Sequence, residues 1–159
     1  MNWTDLFFNF RGRINRAKYW LFFAVYLISL LILGAIAALL FPNPAPAAAI
    51  LYAIIALAWI VVMLIGSLAV GVKRLHDRDK SGWWLVLFYL VPALFSAAGR
   101  AAGEVGNLEG QLVCGLIAFA IGIWALVELG ILAGTRGPNR YGADPVDRRQ
   151  ETEDRQAYE

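Results

Sequence analysis

Four long runs of apolar residues divide this chain, and charged, glycine-rich or proline-rich segments separate them. The runs cover about residues 20–41, 48–70, 83–98 and 112–133. At about 1.5 Å per residue, all but the third are long enough to cross a hydrocarbon core of about 30 Å as helices. The third run is shorter and contains Pro92, so we expect it to be kinked. The pattern predicts an all-α membrane protein with four transmembrane helices arranged as two hairpins.

The first run has an alternative interpretation, because basic residues precede it as they precede the apolar core of a secretory signal peptide. It is much longer than such a core, which spans about 7–15 residues, and further apolar runs follow it. We therefore interpret it as a retained membrane span.

The segments outside the runs predict the organisation of the chain. Residues 71–82 form a basic middle loop, and residues 99–111 form a glycine-containing loop on the opposite side of the membrane. The predicted four-helix membrane domain covers residues 19–145. A basic and aromatic segment at 1–18 precedes it, and a charged tail at 146–159, which we expect to be disordered, follows it.

Composition agrees with a membrane protein and excludes several classes of function. Apolar residues make up 60% of the chain and charged residues 16%, with a mean hydropathy of +0.60. A soluble domain of this size would need more polar surface. Cys114 and His76 are the only residues of their types, so the sequence predicts no metal site and no disulfide within the chain. We find no catalytic motif and predict neither an enzyme nor a cofactor.

Lysine and arginine are segregated by loop. Four lie before the first run, four in the middle loop and five after the fourth run, whereas Arg100 alone lies on the other side. Because basic loops resist translocation, we expect both termini and the middle loop to be cytoplasmic. This predicts a multi-pass membrane protein, with the lipid bilayer rather than nucleic acid as its partner.

The basic residues on that side, together with two neighbouring tryptophans and the histidine, have the composition of a surface that binds anionic lipid headgroups or a protein partner. These candidate contacts are Arg11, Arg13, Arg16, Lys18, Lys73, Arg74, His76, Arg78, Lys80, Trp83 and Trp84. The alternative is that these charges only fix the topology, as they do in most membrane proteins.

Glu128 is the only ionisable residue well inside an apolar run. A carboxylate at that depth needs a positive partner or a proton. Lys73 and Arg74 are the candidates at matching depth, so the sequence predicts an ion pair between Glu128 and one of them. A role in a proton or substrate relay is the alternative.

Three motifs identify a family resemblance. They are FRGRINRAKYW at 10–20, KRLHD followed by KSGWW within 73–84, and GTRGPNRYGADP at 134–145. In this order they resemble the bacterial inner-membrane family catalogued as domain of unknown function 805. The resemblance covers nearly the whole chain, and it implies a small inner-membrane protein of several helices without an established activity.

These observations predict an integral inner-membrane protein that serves as a scaffold or as a module for binding lipid or a partner through a basic and aromatic cytoplasmic face. A second copy of the chain is among the candidate partners. The alternative is a small transporter or channel subunit that uses a crevice near Glu128.

Overall fold

The computed structural model describes residues 3–40 and 45–146. Five α-helices run through this part of the chain, and two π-helical turns adjoin them. The α-helices are α1 (Trp3–Phe8), α2 (Arg16–Leu40), α3 (Pro46–Asp77), α4 (Val91–Glu104) and α5 (Leu108–Leu126). One π-helical turn, Val86–Leu90, leads into α4, and the other, Val127–Ile131, extends α5.

Four helical segments are long and apolar enough to cross a membrane, as the sequence predicted. They are Arg16–Leu40, Pro46–Asp77, Val86–Glu104 and Leu108–Ile131. No strand occurs within the described residues, which contain only an isolated bridge between Asn139 and Gly142. The all-α class is therefore confirmed. The predicted tail beyond Val146 lies outside the described residues.

Two connections differ from the prediction. Helix α3 continues through most of the basic stretch as far as Asp77, so Lys73 and Arg74 are helical rather than part of a loop. The predicted loop at 99–111 is instead a short turn, because α4 continues to Glu104 and α5 begins at Leu108. Asn107 starts α5 by accepting a hydrogen bond from the Gly110 amide at 2.9 Å. Glycines and charges indicated a loop here, but tertiary packing and this cap keep the residues helical.

The π-helical turn before α4 coincides with Pro92. A proline inside a helix removes one backbone donor and crowds the carbonyl four residues earlier. The Val91 amide donates to the Val86 carbonyl, five residues back, so the backbone widens just before the proline. The helix continues beyond the proline to Glu104, so the third span is longer than the sequence suggested.

The four spanning helices pack as two close pairs. In the first pair, the Trp59 indole of α3 donates to the Ser29 hydroxyl of α2 at 3.0 Å. In the second pair, Gly99 of α4 lies so close to α5 that a Cβ there would meet the Cβ of Cys114 at 3.2 Å. Small residues at such positions allow close helix approach.

The buried core lies where the two pairs meet, at the end of the bundle that contains Asp77 and Ile131. One cluster is formed by Leu75, Leu85, Phe88 and Leu129. Leu6 of α1 contributes to a second cluster, so α1 folds back onto α3 rather than projecting away. Toward the other end the apolar side chains are exposed, with Leu39 at 82%.

Candidate functional site

The charged side chains gather at the same end of the bundle as the core. We call this region the polar cap and define it by Arg13, Lys73, Arg74, Asp77, Arg78, Lys80 and Glu128. Five of the seven are buried, namely Arg13, Lys73, Arg74, Asp77 and Glu128. A burial of this extent is rare for charged residues unless they are paired.

Two of these cations, Arg74 and Arg78, lie at the carboxyl end of the fourth span and bind its backbone carbonyls. The last carbonyls of a helix have no partner within it, and inside a membrane there is little water to bind them. Five consecutive carbonyls, from residue 129 to residue 133, accept hydrogen bonds from side chains. The donors are Arg74 to Leu129 and Leu132, Trp20 to Gly130, Arg16 to Ile131, and Arg78 to Ala133.

Arg74 is the centre of this arrangement. Its side chain is completely buried, and its Nε donates to the Leu129 carbonyl at 2.7 Å. The two terminal nitrogens donate to the Leu132 carbonyl and to the Asp77 carboxylate. The rigid fork of a guanidinium reaches three acceptors in one plane, which a lysine cannot do.

Asp77 joins the middle motif to the other two. Its carboxylate accepts from Arg74 through one oxygen and from Arg13 Nε at 3.1 Å through the other. Its backbone carbonyl accepts from the amide and hydroxyl of Thr135. A Cβ on Gly134 would collide with the carboxylate, so only glycine fits at this position.

The remaining buried cations bind other backbone carbonyls. Arg13 donates to Thr135 at 2.6 Å and to Gly137 at 2.7 Å, which fixes the segment after the fourth span. Lys73 donates to the carbonyls of Asp5 at 2.6 Å and Leu6 at 2.9 Å, at the carboxyl end of α1. A cation at a helix carboxyl end is also favoured by the helix dipole.

The predicted partner of Glu128 was wrong. Glu128 pairs with Arg78 at 2.5 Å and with Lys80 at 2.8 Å, whereas Lys73 and Arg74 bind carbonyls and Asp77. The reason is that the chain turns back after α3, which ends at Asp77, and this brings the following residues over the fourth span. Counting depth along straight helices did not anticipate this turn.

Burial also corrects the predicted headgroup surface. Arg13, Lys73 and Arg74 are internal, so their side chains cannot reach a lipid headgroup. His76 is partly buried, and its ring stacks on Tyr141 with a centroid distance of 3.8 Å. Trp84 packs on Phe88 and Trp124, with Lys80 above its ring.

The candidates that remain accessible are fewer. Arg11, Arg16 and Trp83 are exposed, and Lys18 is half-buried. Arg136, which was not among the predicted contacts, is also exposed.

Two adjoining cavities lie beside the polar cap, and we call them together the headgroup groove. Asn15, Arg16 and Val146 line both. The first, of about 680 Å³, is also lined by Arg136, Asp77 and Asp144. The second, of about 560 Å³, continues past Trp20 to Ile131 at the end of the fourth span.

The loop that borders the groove is held by Asp144. Its carboxylate accepts from the Val146 amide at 3.0 Å and from the Gly137 amide at 2.9 Å. These two backbone hydrogen bonds keep the pKa of Asp144 below its usual value. Within the described residues no three His, Cys, Asp or Glu side chains are grouped to hold a metal ion.

The polar cap assembles the three sequence motifs, one around Arg13, one around Arg74 and one around Thr135. Residues 7–143, which contain most of these motifs, match the family described as "Protein of unknown function (DUF805)". The chain belongs to this family.

Several proteins of Escherichia coli K12 are similar over most of their length. "Uncharacterized protein YiiR" is 33% identical over 143 residues, which cover 88% of each chain. "Inner membrane protein YhaH" is 32% identical over 136 residues, or 86% of each chain. "Inner membrane protein YhaI" is 29% identical over 86% of this chain and 85% of its own. No solved structure gives a significant match.

The DUF805 motifs therefore have a structural role in this chain. Sequence reasoning identified their charges but missed Trp20, Thr135 and Gly134 as members of the same cluster. The signal that pointed to Gly134 and Thr135 was the occurrence of glycine and small polar residues directly after the fourth run, at a place where helix carbonyls need donors.

Proposed function

We propose that this protein is a non-catalytic lipid-binding module of the bacterial inner membrane, which takes the phosphate of an anionic lipid headgroup in the headgroup groove. Relatives named as inner membrane proteins support the location. The four apolar spans support insertion into the bilayer. In this proposal both termini and the polar cap are cytoplasmic, where anionic lipids attract basic residues.

The observation that carries the proposal is that Arg16 and Arg136 line one groove and come from opposite ends of the chain. Arg16 uses one terminal nitrogen for the Ile131 carbonyl, which fixes the direction of the side chain and leaves other donors for a ligand. Guanidinium groups match the geometry of phosphate oxygens.

The groove has the amphipathic character that a phospholipid requires. Trp20 and Ile131 border its lower part, where the apolar surface of the spans begins. Tryptophan is common at this depth, because its ring is apolar and its N–H is polar. A lipid held here would place its phosphate near the two arginines and its chains along the spans.

Two carboxylates also border the groove, and both are already engaged. Asp77 is paired with Arg13 and Arg74, and Asp144 accepts two backbone amides. Glu128 lines neither cavity of the groove, and it is paired with Arg78 and Lys80. The arrangement therefore favours lipid binding over the alternative of a carrier that uses Glu128.

The experiment titrates the full-length protein in a non-ionic detergent with dihexanoyl phosphatidylglycerol, a soluble anionic phospholipid, and follows binding by native mass spectrometry. Replacing both arginines (Arg16→Gln with Arg136→Gln) is expected to weaken binding about tenfold, which corresponds to about 1.4 kcal/mol. The matched control is Arg100→Gln, an exposed arginine on α4, which is expected to bind like the wild type.

Dihexanoyl phosphatidylcholine measures the contribution of net headgroup charge and is expected to bind more weakly. Equal affinity of the wild type and the double variant for phosphatidylglycerol would overturn the proposal. An equal loss in the Arg100→Gln control would show that only total charge matters and would also overturn it.

The proposed orientation has its own test. In a Cys114→Ser background, single cysteines are introduced as Ser81→Cys in the turn beside the polar cap and as Val105→Cys in the opposite turn. Val105 is 81% exposed, so a thiol there is open to reagents. In intact cells, a membrane-impermeant maleimide is expected to label the cysteine at 105 and not the one at 81. The reverse pattern would overturn the orientation.

A further inference from the structure

A separate cavity lies within the membrane, between α2 and α3, and we call it the aromatic slot. Its volume is about 400 Å³, which falls in the range of small-molecule sites. Six aromatic rings line it, namely Tyr19, Phe22, Phe23, Tyr26, Trp59 and Tyr89.

The aromatic slot is separate from the headgroup groove. Its residues on α2, from Tyr19 to Tyr26, are spaced three, one and three apart and so share one helical face. The groove uses Arg16, Ala17 and Trp20, which lie on another face of the same helix. No residue lines both cavities, so a ligand in the slot is not the lipid held in the groove.

The slot is open toward the bilayer. Its wall side chains remain partly accessible, with Phe23 at 47%, Tyr89 at 48% and Leu64 at 57% exposure. These residues lie within the spanning segments, where the surroundings are lipid. A molecule dissolved in the membrane therefore has a lateral path into the slot.

The slot also carries hydrogen-bond donors without an acceptor. Ser67 donates to the Leu64 carbonyl and Trp59 donates to Ser29, so these two groups are satisfied. Among the described residues, the hydroxyls of Tyr19, Tyr26 and Tyr89 make no hydrogen bond. Tyr19 and Tyr26 are partly buried, and no described residue that is buried or partly buried has a fully enclosed side-chain N or O atom without a partner, so these two hydroxyls are accessible. The side chain of Tyr89 is 48% exposed. A donor in an apolar medium gains free energy when an acceptor binds it.

A ring with carbonyl oxygens fits these features better than a simple acyl chain. Aromatic pairs contribute about 0.5–1.5 kcal/mol beyond the area that they bury, and an acyl chain gains none of this. A carbonyl accepts from a phenol, whereas a hydrocarbon does not. Trp59 is fixed by its bond to Ser29, so one wall of the slot is preorganised for stacking.

We infer that the aromatic slot binds a membrane-dissolved molecule of the quinone class, that is, a planar ring with carbonyl oxygens and a hydrocarbon tail. The ring stacks among the six aromatic side chains, and its carbonyls accept from the tyrosine hydroxyls. The tail leaves through the lateral opening into the bilayer. The inference concerns binding alone and does not depend on the headgroup groove.

The test uses 2,3-dimethoxy-5-methyl-6-decyl-1,4-benzoquinone as the probe and full-length protein in detergent micelles. Quinones quench tryptophan fluorescence at short range, and Trp59 lines the slot. Removing the three hydroxyls (Tyr19→Phe, Tyr26→Phe and Tyr89→Phe together) keeps the rings and is expected to weaken binding about tenfold. The matched control is Tyr52→Phe, because Tyr52 donates to Leu33 and lies outside the slot. Its affinity is expected to equal that of the wild type.

A second variant, Ser67→Phe, fills the slot and is expected to abolish saturable quenching. Decylbenzene, which has a comparable tail but no carbonyl, is expected to compete weakly. Size-exclusion chromatography and the helical circular-dichroism spectrum show whether each variant is folded.

Three outcomes would overturn the inference. Saturable quenching that persists in a folded Ser67→Phe variant would place the quinone elsewhere. Equal affinities of the triple variant and the wild type, with effective competition by decylbenzene, would show that the slot takes any apolar chain. A wild type without saturable quenching would exclude quinone binding in the slot.

Discussion

The polar cap and the spanning pairs are held together in opposite ways. In the polar cap, buried charges bind one another and the backbone carbonyls at the end of the fourth span. In the spans away from the cap, apolar side chains point outward, and Phe22 is the only residue of α2 that is buried. Lipid solvates the outward side chains, but it offers few donors to carbonyls at a helix end. The difference shows that charge is concentrated in this protein where the backbone needs partners.

The burial of charge in the polar cap also changes how the basic clusters of the sequence are interpreted. A basic loop beside a membrane is usually attributed to topology or to lipid binding. Here the side chains of Arg13, Lys73 and Arg74 are enclosed by protein, so they are not available to bind a lipid headgroup. Arg16 and Arg136 remain on the surface, and only such residues are suited to a ligand.

The largest predicted effect comes from Asp77→Asn. The carboxylate neutralises two buried guanidinium groups, those of Arg13 and Arg74, and its removal leaves them without a counter-charge. Breaking a buried pair of this kind costs about 3–5 kcal/mol. Chemical denaturation in mixed micelles is the measurement. The control is Asp79→Asn, whose exposed pair with Arg140 is expected to contribute less than about 1 kcal/mol. Similar losses in the two variants would contradict the special role of the cap.

A smaller effect is expected from Gly134→Ala. The added Cβ meets the Asp77 carboxylate, which two arginines hold in place, so the cap has to shift. Overpacking of this kind costs about 1–3 kcal/mol. The matched change is Gly122→Ala in α5, where a Cβ meets nothing within 4 Å and a helical alanine is expected to be neutral or slightly stabilising. The comparison uses the midpoints of thermal unfolding, and a lower midpoint for Gly122→Ala than for Gly134→Ala would contradict it.

Glu128→Gln is expected to have an intermediate to small effect. Glutamine keeps the shape and can still accept from Arg78 and Lys80, but it removes the charge that attracts them. Both partners are partly exposed, so we expect a loss of about 1–2 kcal/mol rather than the full effect of a buried pair. A double-mutant cycle with Arg78→Gln measures the coupling directly. A coupling near zero would show that the pair does not tie the middle turn to the fourth span.

The spanning helices were predictable from the sequence, and the polar cap was not. Apolar length alone identifies a span, so residues 20–41 and 112–133 were located to within a few residues of Arg16–Leu40 and Leu108–Ile131. The glycine at 99 and the charge of Glu104 suggested a loop where the structure has helix. A charged or small residue near a membrane surface is compatible with a loop or with a helix, and packing against α5 favours the helix here.

The partners in the polar cap depend on where the backbone turns. The sequence shows that Glu128 needs a cation, and depth along straight helices pointed to Lys73 and Arg74. The turn after Asp77 selects Arg78 and Lys80, and this choice leaves Arg74 to bind the carbonyls of the fourth span. Backbone acceptors have no sequence signature of their own, so side chains that bind them look like free charges until the fold is known.

The smallest predicted effect concerns Asp144, at the rim of the cap. Because the amides of Val146 and Gly137 hold its pKa below the usual value, the folded loop favours the ionised form. The stabilisation is present above the unfolded pKa of about 4 and is lost as the pH falls through the lower folded pKa. We expect the Gly137 amide to exchange its hydrogen faster, relative to the intrinsic rate, below about pH 4, while amides in α3 keep their protection. The Asp144→Asn variant has no titrating group at this position. Protection of its Gly137 amide, relative to the intrinsic exchange rate, is expected to be independent of pH. If the Gly137 amide of the wild type became more protected from exchange on acidification, the linkage would have the opposite sign. Asp144 would then not stabilise the loop that borders the groove.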